Sequence, residues 1–312
     1  ELMATLFDFP KLRTFAARPD FRFVYDAMNG VAGPYARAVF HDALGLPLSS
    51  LLNCDPSPDF AGGHPDPNLT YAHDLVHKMG LTREGTPLGG VDAASIPDLG
   101  AAADGDADRN MILGKAFFVT PSDSLAILAS RVTSCVPYFS RENGGLRAVA
   151  RSMPTSGAVD LVAAKLGIPC FEVPTGWKFF VNLCDAKELG KGDWSPLLCG
   201  EESFGTGSSH IREKDGVFAV LCWLSVLAHA NATTPVGSLV SVEDVVVAHW
   251  KEFGRNHYER FDYEDCDAGK AAEMMQHLSG LIAKFHANGK KLPLSDLVGA
   301  DVAQGFELDN AD

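Results

Sequence analysis

Three aspartates at alternate positions, Asp104, Asp106 and Asp108, stand immediately before Arg109 in "AAADGDADRN". Carboxylates crowded this closely repel one another unless a cation lies among them. On a tight loop their oxygens can converge on one centre, and hard oxygen donors select Mg²⁺, Ca²⁺ or Mn²⁺ over softer metals. An EF-hand does not fit: counted from Asp104, Arg109 falls where that loop needs glycine, and Lys115 falls where it needs a bidentate glutamate. Asp-Gly-Asp runs are also ordinary solvated turns. Arg109 favours the metal reading, because a guanidinium beside the carboxylates can clamp a phosphate that also touches the ion. Phosphoryl transfer needs that pairing, and three protein carboxylates leave Mg²⁺ open positions for a phosphate oxygen and water.

Elements must hold this loop in place. "FRFVYDAM" reads as a strand and "GPYARAVFHDALG" as a helix closed by Gly45. "SSLLNCD" is strand-like, "NLTYAHDLVHKMG" helical, and "DLGAAADG" a strand running into the acidic loop. The βαβαβ order predicts a mostly parallel sheet with its ligand beyond the carboxyl ends of the strands. "LTREGTPLGGVDAASIPDLG" reads as a mobile surface loop. A second α/β unit begins near Thr120. Its expected helices are "PSDSLAILASRVTSC", "AVDLVAAKLG", "WKFFVNLCDAKELG" and the buried "DGVFAVLCWLSVLAHA". Its expected strands are "GGLRAVARSM", "IPCFEVPTG" and "SPLLCGEESFG", whose ends carry further loops rich in functional groups. Beyond about residue 247 the chain becomes aromatic and charged, and apolar residues at 275, 278, 282 and 285 mark an amphipathic helix.

The bulk properties exclude some partners. With 312 residues, 46% apolar, the chain can bury more than one core. A net charge of −14 makes nucleic acid and anionic membrane poor partners. Seven scattered cysteines without a CxxC read as buried reduced thiols, and the Asn-X-Thr sequons at Asn68 and Asn231 carry no weight in a cytoplasmic protein. There is no apolar run long enough for a membrane span and no signal peptide. The first residue is Glu1 and the chain ends in "GFELDNAD", which reads as a piece of a longer polypeptide.

"DGDADRNMILG" followed by "GEESFGTGSSHIREKDG" resembles the α-D-phosphohexomutase superfamily, specifically the eukaryotic-type phosphoglucomutases. "DAMNGVAGPYA", "HPDPNLTYA", "SMPTSGA", "PTGWKFF", "AVLCWLSVLA" and "HWKEFGRNHYERFDYE" extend the likeness over nearly the whole chain, in the family's order. The resemblance implies two consecutive α/β domains with mixed, mostly parallel sheets, the family's second (residues 1–120) and third (residues 121–246). Residues 247–312 would be a linker and the start of an α+β fourth domain. It implies interconversion of glucose 1-phosphate and glucose 6-phosphate through a phosphoserine enzyme and glucose 1,6-bisphosphate. The serine loop, Thr-Ala-Ser-His-Asn-Pro in the family, is not in this sequence, so these residues alone are not expected to be a competent mutase.

Carried over by motif, Asp104, Asp106 and Asp108 would hold one Mg²⁺, and Asp108 would also face substrate. Arg109 would sit against the transferring phosphate. Thr175, Gly176, Glu201 and Ser203 would grip the sugar hydroxyls, the last two facing one way if their segment is extended. Lys214 would neutralise substrate phosphate or shuttle a proton, with His210 and Arg212 near enough to share the phosphate. Glucose phosphates are the expected partners and a monomer or weak dimer the expected state. Two positions depart from the family pattern. Ala107 replaces a glycine, which matters if the residue needs positive φ, and Ser209 replaces an aspartate expected beside the substrate phosphate. Competing readings are a non-catalytic, parafusin-like or Ca²⁺-responsive scaffold on the same fold, or a sister phosphomannomutase or phosphopentomutase.

Overall fold

The computed structural model describes residues 1–258, 265–289, 291–293 and 307–309. They fall into two compact units, 1–257 and 258–312.

The first unit contains two mixed sheets. Strands β1 (Phe23–Asp26), β2 (Leu51–Leu52), β3 (Leu99–Ala103), β4 (Asn110–Gly114) and β5 (Phe117–Val119) are ordered β2-β1-β3-β4-β5. The first three are parallel, as the βαβαβ pattern requires. The turn back through β4 and β5 is antiparallel. It makes the acidic segment the loop of a β3–β4 hairpin, outside the carboxyl end of β3. Strands β6 (Ala148–Ser152), β7 (Cys170–Val173), β8 (Leu197–Gly200) and β9 (Thr206–Ser208) form the second sheet in the order β7-β6-β8-β9. Here only β9 is antiparallel, and it closes a hairpin with β8.

Two short helices, α1 (Leu2–Leu6) and α2 (Phe9–Ala16), open the chain. The helix expected at 33–45 is α3 (Ala32–Ala36) continued by a π-helical segment, Arg37–Ala43, and it ends before Gly45 at φ +78°. The helix expected at 68–80 shortens to α4 (His73–Lys78), because the Asn68 side chain accepts the N–H groups of Thr70 and Tyr71 and holds a turn there. The proposed surface loop is largely exposed, with a turn tied by Thr82 and Thr86 and with Ile96 buried beneath it.

Helix α5 (Pro121–Cys135) starts where Thr120 caps Asp123 N–H and Pro121 occupies the first turn. Helix α6 (Ala158–Leu166) stops at Gly167 in a left-handed C-cap, and α7 (Lys178–Cys184) covers the other face of the second sheet's β7 edge. Helix α8 (Gly216–Ala230) is apolar all round and buried from Val217 to Ala228, as the sequence pattern requires. Its core cluster takes in residues from both sheets, among them Leu99, Ile112, Val149 and Leu198. Trp223 donates its indole N–H to Ser124 Oγ at 2.8 Å.

Helix α9 (Val242–Phe253) follows a capping box made by Ser241 and Asp244. The boundary expected between residues 246 and 247 falls inside it. In the second unit, α10 (Ala268–Ala287) is the expected amphipathic helix, and β10 (Lys291–Pro293) pairs antiparallel with β11 (Glu307–Asp309). Only Leu281 of α10 is buried; Met275, Leu278 and Ile282 of the anticipated stripe are exposed. Residues 259–264 of the aromatic, charged stretch and most of the closing "GFELDNAD" lie outside the described residues. No helix among the described residues is long and apolar enough to cross a membrane. Five cysteines are buried, Cys170 is half-buried and Cys266 exposed. Burial pushes the thiols of Cys54 and Cys135 up to about 11 and about 12.

Candidate active site

Asp104 is buried at the end of β3, Asp108 is half-buried and Asp106 is exposed. One carboxylate oxygen from each lies within 4.8 Å of the others. The loop is pinned from both sides. Arg109 N–H donates to Asp104 Oδ1 at 3.0 Å and its Nε to Asp104 Oδ2 at 2.7 Å. Arg109 Nη1 reaches Asp66 Oδ1 at 2.9 Å. Burial works against the charge of Arg109, but Asp104, Asp66 and Asp108 outweigh it and raise its pKa. Ala107 sits at φ +66°, so the alanine carries the left-handed backbone for which the family pattern has glycine.

Helix α8 begins against this loop. Gly216 N–H donates to Ala107 O at 3.0 Å, and a Cβ on Gly216 would lie 2.5 Å from Arg109 O. Only glycine permits that approach. The residues just before α8 turn Lys214 into the same space. Lys214 Nζ lies 2.8 Å from Asp108 Oδ2 and 3.8 Å from Glu201 Oε2.

Glu201, at the end of β8, is 6% exposed. Burial pushes its carboxyl up, and Lys214 and the Gly176 N–H partly offset that. The backbone of Gly176, in the Thr175-Gly176 bend, is thus near enough to the Glu201 carboxylate to act on it. Gly205 lets Lys214 pass close: a Cβ there would stand 2.5 Å from Lys214 Cδ. The segment after Glu201 is not extended. Glu202 and Ser203 occupy a turn closed by Glu201 N–H to Gly205 O at 2.8 Å, so strand alternation does not orient Ser203. This turn is also joined to the metal loop's strand, since Asn110 donates both N–H and Nδ2–H to Phe204 O at 2.9 and 3.1 Å.

Thus Asp104, Asp106, Asp108, Arg109, Glu201 and Lys214 converge, with Gly176 near Glu201 and Thr175 and Ser203 on the adjoining bend and turn. His210 and Arg212 do not join them. The His210 side chain is 1% exposed, stacked on Phe218 with Nε2 3.1 Å from Asp215 Oδ2. Arg212 Nε pairs with Asp185 Oδ1 at 2.6 Å, and its Nη1 donates to Ser209 O. Ser209 is likewise not beside Lys214. Its N–H bonds Leu197 O and its Oγ accepts Leu197 N–H, at the opposite end of β8 from Glu201, and it also meets Tyr138 OH. Sequence reasoning missed Asp66 and Asn110. Both lie in quoted motifs, "HPDPNLTYA" and "DGDADRNMILG", but only the fold shows what they hold.

The donor set fits a hard dication. Among the described residues, Asp66, Asp104 and Asp108 pair with Arg109 and Lys214, and Asp106 adds a fourth carboxylate, a surplus of negative charge that a divalent ion would balance, and the donors are all oxygen.

Comparison with known proteins identifies the family to which this fold belongs. The family description "Phosphoglucomutase/phosphomannomutase, alpha/beta/alpha domain II" matches residues 4–116, and "alpha/beta/alpha domain III" matches residues 121–252. "Phosphoglucomutase-1, C-terminal domain" matches residues 255–307. The chain is 58% identical over 311 residues to "Probable phosphoglucomutase, cytoplasmic 1" of Arabidopsis thaliana, covering 98% of this chain and 51% of the relative. It is 53% identical over 300 residues to "Phosphoglucomutase-1" of Paramecium tetraurelia, covering 96% and 49%. It therefore spans about half the length of the curated relatives it matches. Among solved structures, the open form of the exocytosis-sensitive phosphoprotein pp63/parafusin, a phosphoglucomutase from Paramecium, matches with a TM-score of 0.82 at 49% identity. That match covers 99% of this chain and 50% of the other. A putative phosphomannomutase from Thermus thermophilus shares the fold, with a TM-score of 0.60 at 23% identity, covering 81% and 49%. With two family domains matched in sequence and a near relative matched in three dimensions, this chain belongs to the phosphoglucomutase/phosphomannomutase family.

Proposed function

We infer that this chain supplies the metal-binding and sugar-binding halves of a phosphoglucomutase. The whole protein would interconvert glucose 1-phosphate and glucose 6-phosphate through a phosphoserine enzyme and glucose 1,6-bisphosphate. Residues 1–120 would carry the metal loop, 121–246 the sugar loop, and 247–312 the entry to a further domain. The observation that carries the reading is the Lys214 bridge between Asp108 of the first sheet and Glu201 of the second. It sets a phosphate-binding cluster beside a turn suited to hydroxyl recognition.

In this reading Asp104, Asp106 and Asp108 would hold Mg²⁺. Such an ion, when bound, neutralises charge on transferring phosphoryl oxygens. Arg109, held by Asp104 and Asp66, would sit against the phosphate. Lys214 neutralises the same group or takes the hydroxyl proton. Glu201, Ser203, Thr175 and Gly176 orient the sugar. The names of the plant relatives support a cytoplasmic protein.

A non-catalytic scaffold is the second reading, supported by the description of the parafusin structure as an exocytosis-sensitive phosphoprotein. The clustering of acid, cation and metal-type donors favours the enzyme. Assay of the full-length protein with glucose 1-phosphate and Mg²⁺ separates them. Turnover to glucose 6-phosphate is expected, and its absence at every Mg²⁺ concentration would favour the scaffold. Faster turnover of mannose or pentose phosphates would favour a sister activity.

A further inference from the structure

Neighbouring glutamates in "GEESFG" have separate partners. Glu201 meets Lys214, whereas Glu202 turns to the "SMPTSGA" loop. Glu202 N–H donates to Thr155 Oγ1 at 3.0 Å. Thr155 Oγ1 lies 2.6 Å from Ser152 Oγ, and Ser152 Oγ donates to Glu202 Oε2 at 2.8 Å. A second approach, Thr155 Oγ1 to the same Oε2, is longer, at 3.4 Å. Each hydroxyl has one proton to give. Ser152 gives its proton to the carboxylate, so Thr155 gives its own to Ser152 and accepts from the Glu202 backbone. The result is a closed ring in which every member donates and accepts in one direction, the arrangement in which hydrogen bonds reinforce one another.

The ring rests on a rigid base. Ser152 is fully buried and Thr155 is 3% exposed. Arg151, gripped in bidentate fashion by Asp160 and paired with Glu172 at 2.7 Å, donates to the carbonyls of Ser152 and Thr155. Strand β6 ends here, beside β8, whose last residue leads into Glu201. The turn bearing Glu201 and Ser203 is therefore suspended between two anchors: the Glu202 ring and the Asn110 clamp on Phe204 O.

We propose that Glu202, with Ser152 and Thr155, is a positioning residue that fixes the turn carrying Glu201 and Ser203 and so sets discrimination among hexose phosphates. This deepens the functional reading above and rests on it. Glu202 need not touch substrate. It keeps two groups at a fixed separation from Lys214, and selectivity between epimers depends on that separation, because a misplaced hydroxyl leaves a buried polar group unpaired.

The test uses the full-length enzyme with glucose 1-phosphate and mannose 1-phosphate, plus thermal melting of each variant. Glu202→Ala is expected to raise KM for glucose 1-phosphate about tenfold, with kcat within about threefold, and to narrow the glucose-to-mannose ratio of kcat/KM. Glu202→Gln keeps an oxygen for Ser152 and is expected to restore KM to within about twofold. Thr155→Val, which deletes the acceptor for Glu202 N–H, is expected to shift KM in the same direction, and Thr155→Ser to reverse it. If Glu202→Ala does not fold, the Thr155 pair decides. Unchanged KM and selectivity in folded Glu202→Ala would overturn the proposal. So would a Glu202→Gln defect equal to that of alanine, which would mean that the charge itself meets substrate. An inactive wild-type enzyme that also fails to bind glucose 1-phosphate by calorimetry would instead remove the functional reading.

Discussion

Lys214 Nζ stands 2.8 Å from Asp108 Oδ2, joining a loop after the second sheet to the hairpin loop of the first. The pair is partly shielded, with side chains 16% and 22% exposed, so its attraction exceeds that of a surface ion pair. Replacing Lys214 with alanine in the full-length enzyme should lower kcat by roughly a hundredfold or more, with the melting temperature little changed. Lys214→Arg should recover part of the loss. Undiminished kcat in the alanine variant would remove Lys214 from the proposed chemistry.

Asp106 is the exposed member of the acidic trio. Asp106→Asn should therefore leave the urea midpoint within experimental error, while Mn²⁺ binding, followed by electron paramagnetic resonance as a stand-in for Mg²⁺, weakens by tenfold or more. Equal Mn²⁺ affinity in the two proteins would show that the carboxylates do not share an ion.

Ala107 is strained at φ +66°. Ala107→Gly should relieve a cost on the order of 1 kcal/mol, partly offset by the greater freedom of glycine in the unfolded chain and by a lost methyl contact. A net gain of up to about 1 kcal/mol is expected from denaturant unfolding. A clear loss of stability would mean that the methyl contributes more than the strain costs.

His249 is 1% exposed on α9 and, among the described residues, neither ring nitrogen has a hydrogen-bond partner. Burial, then Arg131, push it down to about 4, against an opposing effect of Glu252. The unfolded chain, titrating near 6.5, binds the proton more tightly than the native state. The associated stability is complete above about pH 6.5 and is lost as pH falls toward 4, by at most about 3 kcal/mol. His249→Phe should flatten the slope of stability against pH in that window. An unaltered slope would place the acid sensitivity elsewhere.

What the sequence revealed follows from the range of the interactions involved. The parallel strands β1 to β3 and the helices α5 and α8 are written in local periodicity and in caps such as Thr120, and they appear where that pattern puts them. The short antiparallel strands β4 and β9 escaped, because each is only three to five residues long and follows a loop whose acidic residues were read for their chemistry and not as a hairpin turn. Helix α9 escaped although Ser241 and Asp244 announce it, because the change of texture at 247 drew the boundary into its middle. Asp104, Asp106, Asp108 and Arg109 were legible because they are contiguous. Asp66 was not, since its partner Arg109 is 43 residues away. Proximity in sequence misled for His210 and Arg212: within four residues of Lys214, they are turned to Phe218 and Asp185 instead.

Helix α8 packs against both sheets and meets the metal loop at Gly216. Its apolar circumference leaves no greasy seam along which one half could peel from the other without wetting the shared interior. The two α/β halves are thus joined cooperatively despite being separable on paper, and melting of residues 1–257 should be one transition, not two.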